Sequence, residues 1–246
     1  NYGRSVKEGV DLAVEQINQT HFLEKPLKIV YADDRMSPKD GVNAVNKLIT
    51  IDKVPLIIGP FGSSIVLATA PIAEKSKTIL ISASATADDI KNAGDYIFRI
   101  TPKNSKQGSD IAEFCINILN SKRAAILFQN NDYGITLKDA FEKKYISLGG
   151  SITEQQGIML NTIDLKTQLL KIKQRNPDVV FFPLHYQESG RMLKQAKEIG
   201  LNAHFISADG AMTEDMLRIA GDAAEGTFYS TLALGFGEAD TKIEDF

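Results

Sequence analysis

The chain has 246 residues, 43% of them hydrophobic and 24% charged, the composition of an ordinary globular protein with one large or two small domains. Its 31 acidic and 28 basic residues leave a net charge of −3, and its densest basic cluster, Lys171, Lys173 and Arg175, reads as one solvated helix face, which argues against a nucleic-acid or anionic-membrane surface. No apolar run approaches the ~20 residues of a membrane span, and a single cysteine, Cys115, excludes an internal disulfide and a Cys-rich metal site.

The chain opens on Asn1-Tyr2-Gly3 already inside a helical pattern and stops at Glu244-Asp245-Phe246 in what reads as the start of another helix. We therefore expect a piece of a longer protein, in which a missing leader carries no information. Val6, Val10, Ala13, Val14 and Ile17 form one face of a first helix, and Leu27–Tyr31 reads as a strand. Ser37-Pro38 is an N-cap with proline in the first turn, opening a helix through Leu48 and Ile49. Strands are expected at Val54–Ile58, Thr78–Ile81 and Tyr96–Ile100, with a helix over Ser63–Lys75 between the first two. Pro102 then interrupts the chain at a crossover.

The second half repeats the alternation. Strands are expected at Ala124–Phe128, Ser151–Gln155, Val179–Phe182, His204–Ile206 and Gly226–Tyr229. Helices are expected over Gln107–Leu119, Tyr133–Leu148, Asp164–Arg175, Glu188–Ile199 and Thr213–Ala220. Cys115 falls among apolar residues at helical spacing and reads as a small buried hydrophobe. Continuous apolar strands such as Val179-Val180-Phe181-Phe182 are buried on both faces, the mark of parallel sheets covered by helices. The fold class is α/β: two similar Rossmann-like lobes, split near residue 103 and joined by a hinge.

In open parallel sheets, ligands sit outside the carboxyl ends of the strands. Here those ends carry Gly59-Pro60-Phe61-Gly62-Ser63-Ser64, Ser82-Ala83-Ser84-Ala85-Thr86, Gln129 to Gly134, Pro183-Leu184-His185-Tyr186 and Ser207-Ala208-Asp209-Gly210. Gly62 lets the backbone approach a ligand, and the helix opening at Ser63 favours an anion such as a carboxylate. The lysine and glycine spacing of a phosphate loop are absent. Asp209, on the other lobe, faces a cation; an acid site and a cation site together describe an amino acid. Taken singly, Ser63-Ser64 also reads as a plain N-cap and Ala208-Asp209-Gly210 as a plain turn.

Gly9, Ala13 and Ile17-Asn18, Tyr31-Ala32-Asp33-Asp34, Ala44 to Ile49, Ile57-Ile58-Gly59-Pro60, Phe98-Arg99, Asp132-Tyr133-Gly134 and Gln195-Ala196 with Gly200 recur in an order and spacing that span the chain. In these the chain resembles the branched-chain amino-acid (Leu/Ile/Val) binding proteins of ABC importers, which have the type I periplasmic-binding-protein fold. The resemblance implies that Ser63 binds the α-carboxylate and that Ser84, Ala85 and Thr86 contact the ligand. It implies that Asp209 accepts the ammonium and that Tyr2, Phe61 and Tyr133 wall the side-chain pocket. His185 falls where a tyrosine is often found. The first lobe would comprise residues 1–102 and 232–246, lacking its first strand and C-terminal part, and the second lobe residues 103–231. Implied too are a periplasmic or extracellular location with or without a lipid anchor, an ABC permease as partner, and no cofactor or metal.

The main rival is an enzyme. His21, His185 and His204 offer no metal-ligand spacing or acid–base pair, no Gly-x-Ser-x-Gly elbow occurs, and Asp33-Asp34 reads as a solvated or capping pair. A second rival keeps the fold but makes it the extracellular sensor of a receptor.

Overall fold

The computed structural model describes residues 2–21 and 23–231. The chain forms two compact units that part between Asn104 and Ser105. The expected return crossing at Thr231-Leu232 and the assignment of 232–246 to the first lobe lie outside the described residues.

The first unit begins with α1 (Tyr2–Gln19), a helix with no buried residue. The Leu27–Tyr31 stretch, expected as a strand, is instead an unpaired chain. Asn18 clamps it beside α1: its Nδ2 donates to the Leu27 carbonyl at 3.1 Å and its Oδ1 accepts the Leu27 N–H at 2.7 Å. A β-branched run becomes a strand only when a neighbour takes its backbone groups, and no described strand does so here. Ser37 caps α2 (Pro38–Thr50) by accepting the Asp40 N–H, as its sequence foretold.

Strands β1 (Leu56–Ile58), β2 (Ile79–Ser82) and β3 (Ile97–Arg99) make a parallel three-stranded sheet in that order. α3 (Ser63–Ser76) covers one face, packing Val66, Ala70 and Ala73 on Leu80 and Ile97. Leu56, Ile58, Ile79 and Phe98, which alternate with those residues, are exposed. The expectation of strands buried on both faces therefore fails in this sheet, because among the described residues helices cover only one side.

In the second unit the strand order is β5-β4-β6-β7-β8, again all parallel. The strands are β4 (Arg123–Gln129), β5 (Ser151–Ile158), β6 (Val179–Phe181), β7 (His204–Ser207) and β8 (Phe228–Tyr229). Alternate residues feed two cores, as a period of two requires. Ala124, Ile126, Val179 and Phe181 meet Ile111 and Cys115 of α4 (Asn104–Asn117) and Leu137 and Phe141 of α5 (Asp132–Ser147). Ala125, Leu127 and Val180 meet α6 (Lys166–Gln174), α7 (Tyr186–Glu198) and α8 (Glu214–Ala220) through Leu169, Leu193 and Met216. Cys115 is fully buried, and burial pushes its thiol up to about 12, so it is an inert core residue.

α5 starts tight against the end of β4. Asn131 caps it by accepting the Gly134 N–H at 2.9 Å, and a Cβ on Gly134 would collide with the Gln129 carbonyl. That clash is with backbone, which cannot rotate away. Gly134→Ala should cost about 1–3 kcal/mol as overpacking does, read as a lower urea midpoint; an unchanged midpoint would refute the close approach.

Candidate functional site

Each sheet gathers the expected residues at the carboxyl rim of its strands. In the first unit, β1 runs into the cis Gly59–Pro60 peptide, Phe61 and Gly62. The Ser-Ser pair does not cap the helix: Gly62 is the N-cap of α3, with φ −80° and no side-chain bond, and Ser63 is the first helical residue. Gly62 thus has no unusual backbone angle to satisfy; a Cβ there would press on Ile65 Cδ1 at 3.3 Å.

Freed from capping, the Ser63 hydroxyl turns to the neighbouring strand-end loop. It is 2% exposed and accepts the N–H groups of Thr86 and Ala87, each at 3.2 Å. A hydroxyl has two lone pairs and one proton. With both lone pairs filled, what Ser63 has left to give is its proton, so it suits an acceptor such as a carboxylate. The Ser84 hydroxyl donates to the Phe61 carbonyl at 3.0 Å, and the Ala85 N–H goes to Ser82 Oγ at 3.0 Å. Thr86 Oγ1 is buried and has no partner among the described residues. The Tyr2 and Phe61 rings stack 4.3 Å apart at 14°, an apolar wall at the same rim.

The second unit supplies the opposite polarity. Asp209 opens a short 3-10 turn, Asp209–Ala211, after β7. Tyr133, in the first turn of α5, donates its hydroxyl to Asp209 Oδ1 at 3.1 Å and accepts the Gly210 N–H at 2.9 Å. Burial pushes the Asp209 carboxyl up from its ordinary range, opposed by hydrogen bonds from Gln107, Tyr133 and the backbone N–H groups of Asp209 and Gly210. None of the ion pairs among the described residues involves Asp209. Its hydrogen-bonding neighbours are neutral donors, which leaves the negative charge uncompensated.

His185 is the N-cap of α7 and stacks on Tyr133 with ring centres 5.2 Å apart at 14°. Gln107 and Arg99 are participants that sequence reasoning passed over. Gln107 reads as an ordinary residue of a helix start, and Phe98-Arg99 carried only a family pattern. Among the described residues no helix is long and apolar enough to cross a membrane, and no three His, Cys, Asp or Glu side chains are grouped to hold a metal.

His185 is 6% exposed, and burial lowers its pKa from 6.5 to about 4. The unfolded chain then binds the proton at a higher pH than the folded one. Stability contributed by the neutral imidazole is complete above pH 6.5 and lost as pH falls toward 4, a window worth about 3 kcal/mol. His185→Gln should flatten the loss of stability between pH 6.5 and 4 in urea titrations; parallel curves for variant and parent would contradict a buried neutral histidine.

Residues 1–245 match the sequence profile of the family described as periplasmic binding protein. A Leu/Ile/Val-binding protein homolog from Brucella abortus is 30% identical over 228 residues, covering 92% of this chain and 61% of that protein. The chain thus spans about three fifths of the length of that curated relative. The crystal structure of the branched-chain amino acid transporter substrate binding protein LivJ from Streptococcus pneumoniae, in complex with isoleucine, superposes with a TM-score of 0.86 at 28% identity, covering 94% of this chain and 68% of that one. An ABC-transporter solute binding protein from Rhodopseudomonas palustris, in complex with 3,4-dihydroxy benzoic acid, superposes with a TM-score of 0.82 at 25% identity, covering 92% and 62%. With two parallel α/β units, polar loops at their strand ends and a profile match along its length, the chain belongs to the periplasmic-binding-protein family, type I.

Proposed function

We propose that this chain is the ligand-binding part of an extracytoplasmic solute-binding protein that captures an amino acid with an apolar side chain and delivers it to an ABC permease. It performs no chemistry on the ligand. The observation that carries the reading is Asp209, a partly buried carboxylate held by neutral donors and paired with no described cation. An ammonium group supplies the missing charge. In the first unit Ser63, able only to donate its proton, is suited to a carboxylate. Tyr2, Phe61 and Tyr133 supply the apolar surface for the ligand's side chain, and His185 adds a neutral polar group.

A second reading, an aromatic acid, draws on the paired flat rings Tyr2–Phe61 and Tyr133–His185 and on the Rhodopseudomonas relative. It leaves Asp209 without its cation, and for that reason it ranks second.

A thermal-shift panel on the full-length protein separates the two. Aliphatic L-amino acids should stabilise the fold, by about 2.7 kcal/mol at a hundred times the dissociation constant, whereas sugars and nucleosides should not. Stabilisation by benzoates alone would favour the second reading, and by sugars alone would refute both. In calorimetry Asp209→Ala should lose about 2–5 kcal/mol of amino-acid affinity, the cost of stranding a buried charge. Ser63→Ala should lose less, about 1.5–3 kcal/mol for one hydrogen bond to a charged group. Unchanged affinity in Asp209→Ala would remove the amino-acid reading.

A further inference from the structure

We propose that Arg99 is a positioning residue for the carboxylate end of the ligand, acting through a single peptide group on the Ser63 hydroxyl. The inference rests on the reading of Ser63 as a carboxylate donor and adds the charge that stands behind it.

Arg99 is the last residue of β3, and its Nη1 donates to two successive carbonyls, Thr86 O at 3.0 Å and Ala87 O at 2.8 Å. The Thr86 carbonyl and the Ala87 N–H belong to the same peptide group, on opposite sides of it. One side takes the guanidinium; the other donates to Ser63 Oγ at 3.2 Å. The chain of bonds therefore runs from guanidinium to carbonyl, through the peptide to its N–H, to the serine oxygen, and out through the serine proton. Hydrogen bonds linked in this way polarise one another. A full positive charge at one end makes the hydroxyl at the other end a better donor to an anion.

The surroundings keep this line straight. The Thr86 carbonyl also accepts the Asn104 N–H at 2.9 Å, and Thr101 Oγ1 donates to the Ala85 carbonyl at 2.8 Å. With Ser63 holding the N–H groups of Thr86 and Ala87, the peptide groups joining Ala85 to Thr86 and Thr86 to Ala87 are each fixed on both sides. Arg99 is half-buried, with Asp88 the charged group that acts on it. A lysine would keep the charge but carries it on a compact ammonium at the end of a flexible stem, without the guanidinium's fixed planar donors.

A purely structural latch would weaken every ligand alike. A charge relayed to the carboxylate weakens only ligands that carry one. The test is the ratio of dissociation constants for leucinamide and L-leucine, measured by calorimetry on the full-length protein, parent against Arg99→Gln. The ratio should fall about tenfold, one charge-assisted hydrogen bond's share, with Arg99→Lys in between. An equal loss for both ligands, or no loss for either, overturns the proposal. Should Arg99→Gln fail to fold, Arg99→Lys carries the test: a ratio below the parent's supports the relay, and a parental ratio overturns it. If the parent binds 3,4-dihydroxybenzoate and no amino acid, only the amino-acid reading falls, and the same ratio is taken between 3,4-dihydroxybenzoate and its amide. A parent that binds no carboxylate of either class overturns both.

Discussion

Every strand in both sheets runs parallel to its neighbours, and that constraint decides where polar side chains can collect. A parallel strand must be re-entered from the same end, so within each sheet the carboxyl ends share one rim and the helices that follow the strands begin there. The strands themselves offer nothing to a ligand: β6 is Val179-Val180-Phe181, buried throughout. The edge strand β5 carries polar side chains from Thr153 to Gln156; those of the candidate site stand where the ladder stops, at Ser63 and Thr86 in one unit and at Tyr133 and Asp209 in the other. The candidate site residues are far apart in sequence yet lie within four positions of a strand end or at a helix start.

This placement is why so much was legible from the sequence. Hydrophobic runs and cap residues located nearly every element, strand-end loops singled out Ser63, Ser84, Thr86 and Asp209 as candidates, and the family resemblance added Tyr2. What was illegible depends on where a group's bond goes rather than on what the group is. Ser63-Ser64 has the composition of a helix cap, but Gly62 occupies the cap position and Ser63 reaches a loop more than twenty residues away. Leu27–Tyr31 has the composition of a strand, but its backbone is taken by Asn18 and not by a ladder. Arg99 and Gln107 are ordinary in pattern, and their importance lies in distances that no periodicity encodes.

Three titratable groups taken wholly or partly out of water meet the cost of desolvation differently. His185 gives up its charge. Glu188, with no exposed surface, keeps local partners: its Oε1 accepts the Asn161 N–H at 2.8 Å and lies 3.8 Å from Arg191. Asp209 has donors but no countercharge. A fold selected for stability alone would supply one, since an unpaired buried charge is among the most expensive features a protein can hold. Asp209 stands just past the end of β7, where a ligand can complete it.

The two candidate anchors, each in its own unit, are held by different means. At the Asp209 end the anchor rests on Tyr133, whose ring belongs to the same apolar cluster as Phe141 and Phe181. Packing fixes the ring, and the ring fixes the carboxylate. At the Ser63 end the loop over residues 85–87 is held by hydrogen bonds from Ser63, Ser82, Arg99 and Thr101, and the face of the sheet away from α3 is exposed. Hydrogen bonds demand distance and direction from each partner, whereas apolar packing tolerates swaps of similar volume. Volume-conserving changes around Tyr133 should therefore leave the Asp209 carboxylate in place. Equally conservative changes among Ser82, Thr101 and Arg99 should disturb the loop beside Ser63 more, because Ala85 and Ala87 pack in the cluster of Val66 and Leu80 but that packing does not fix the direction of the loop's peptide groups.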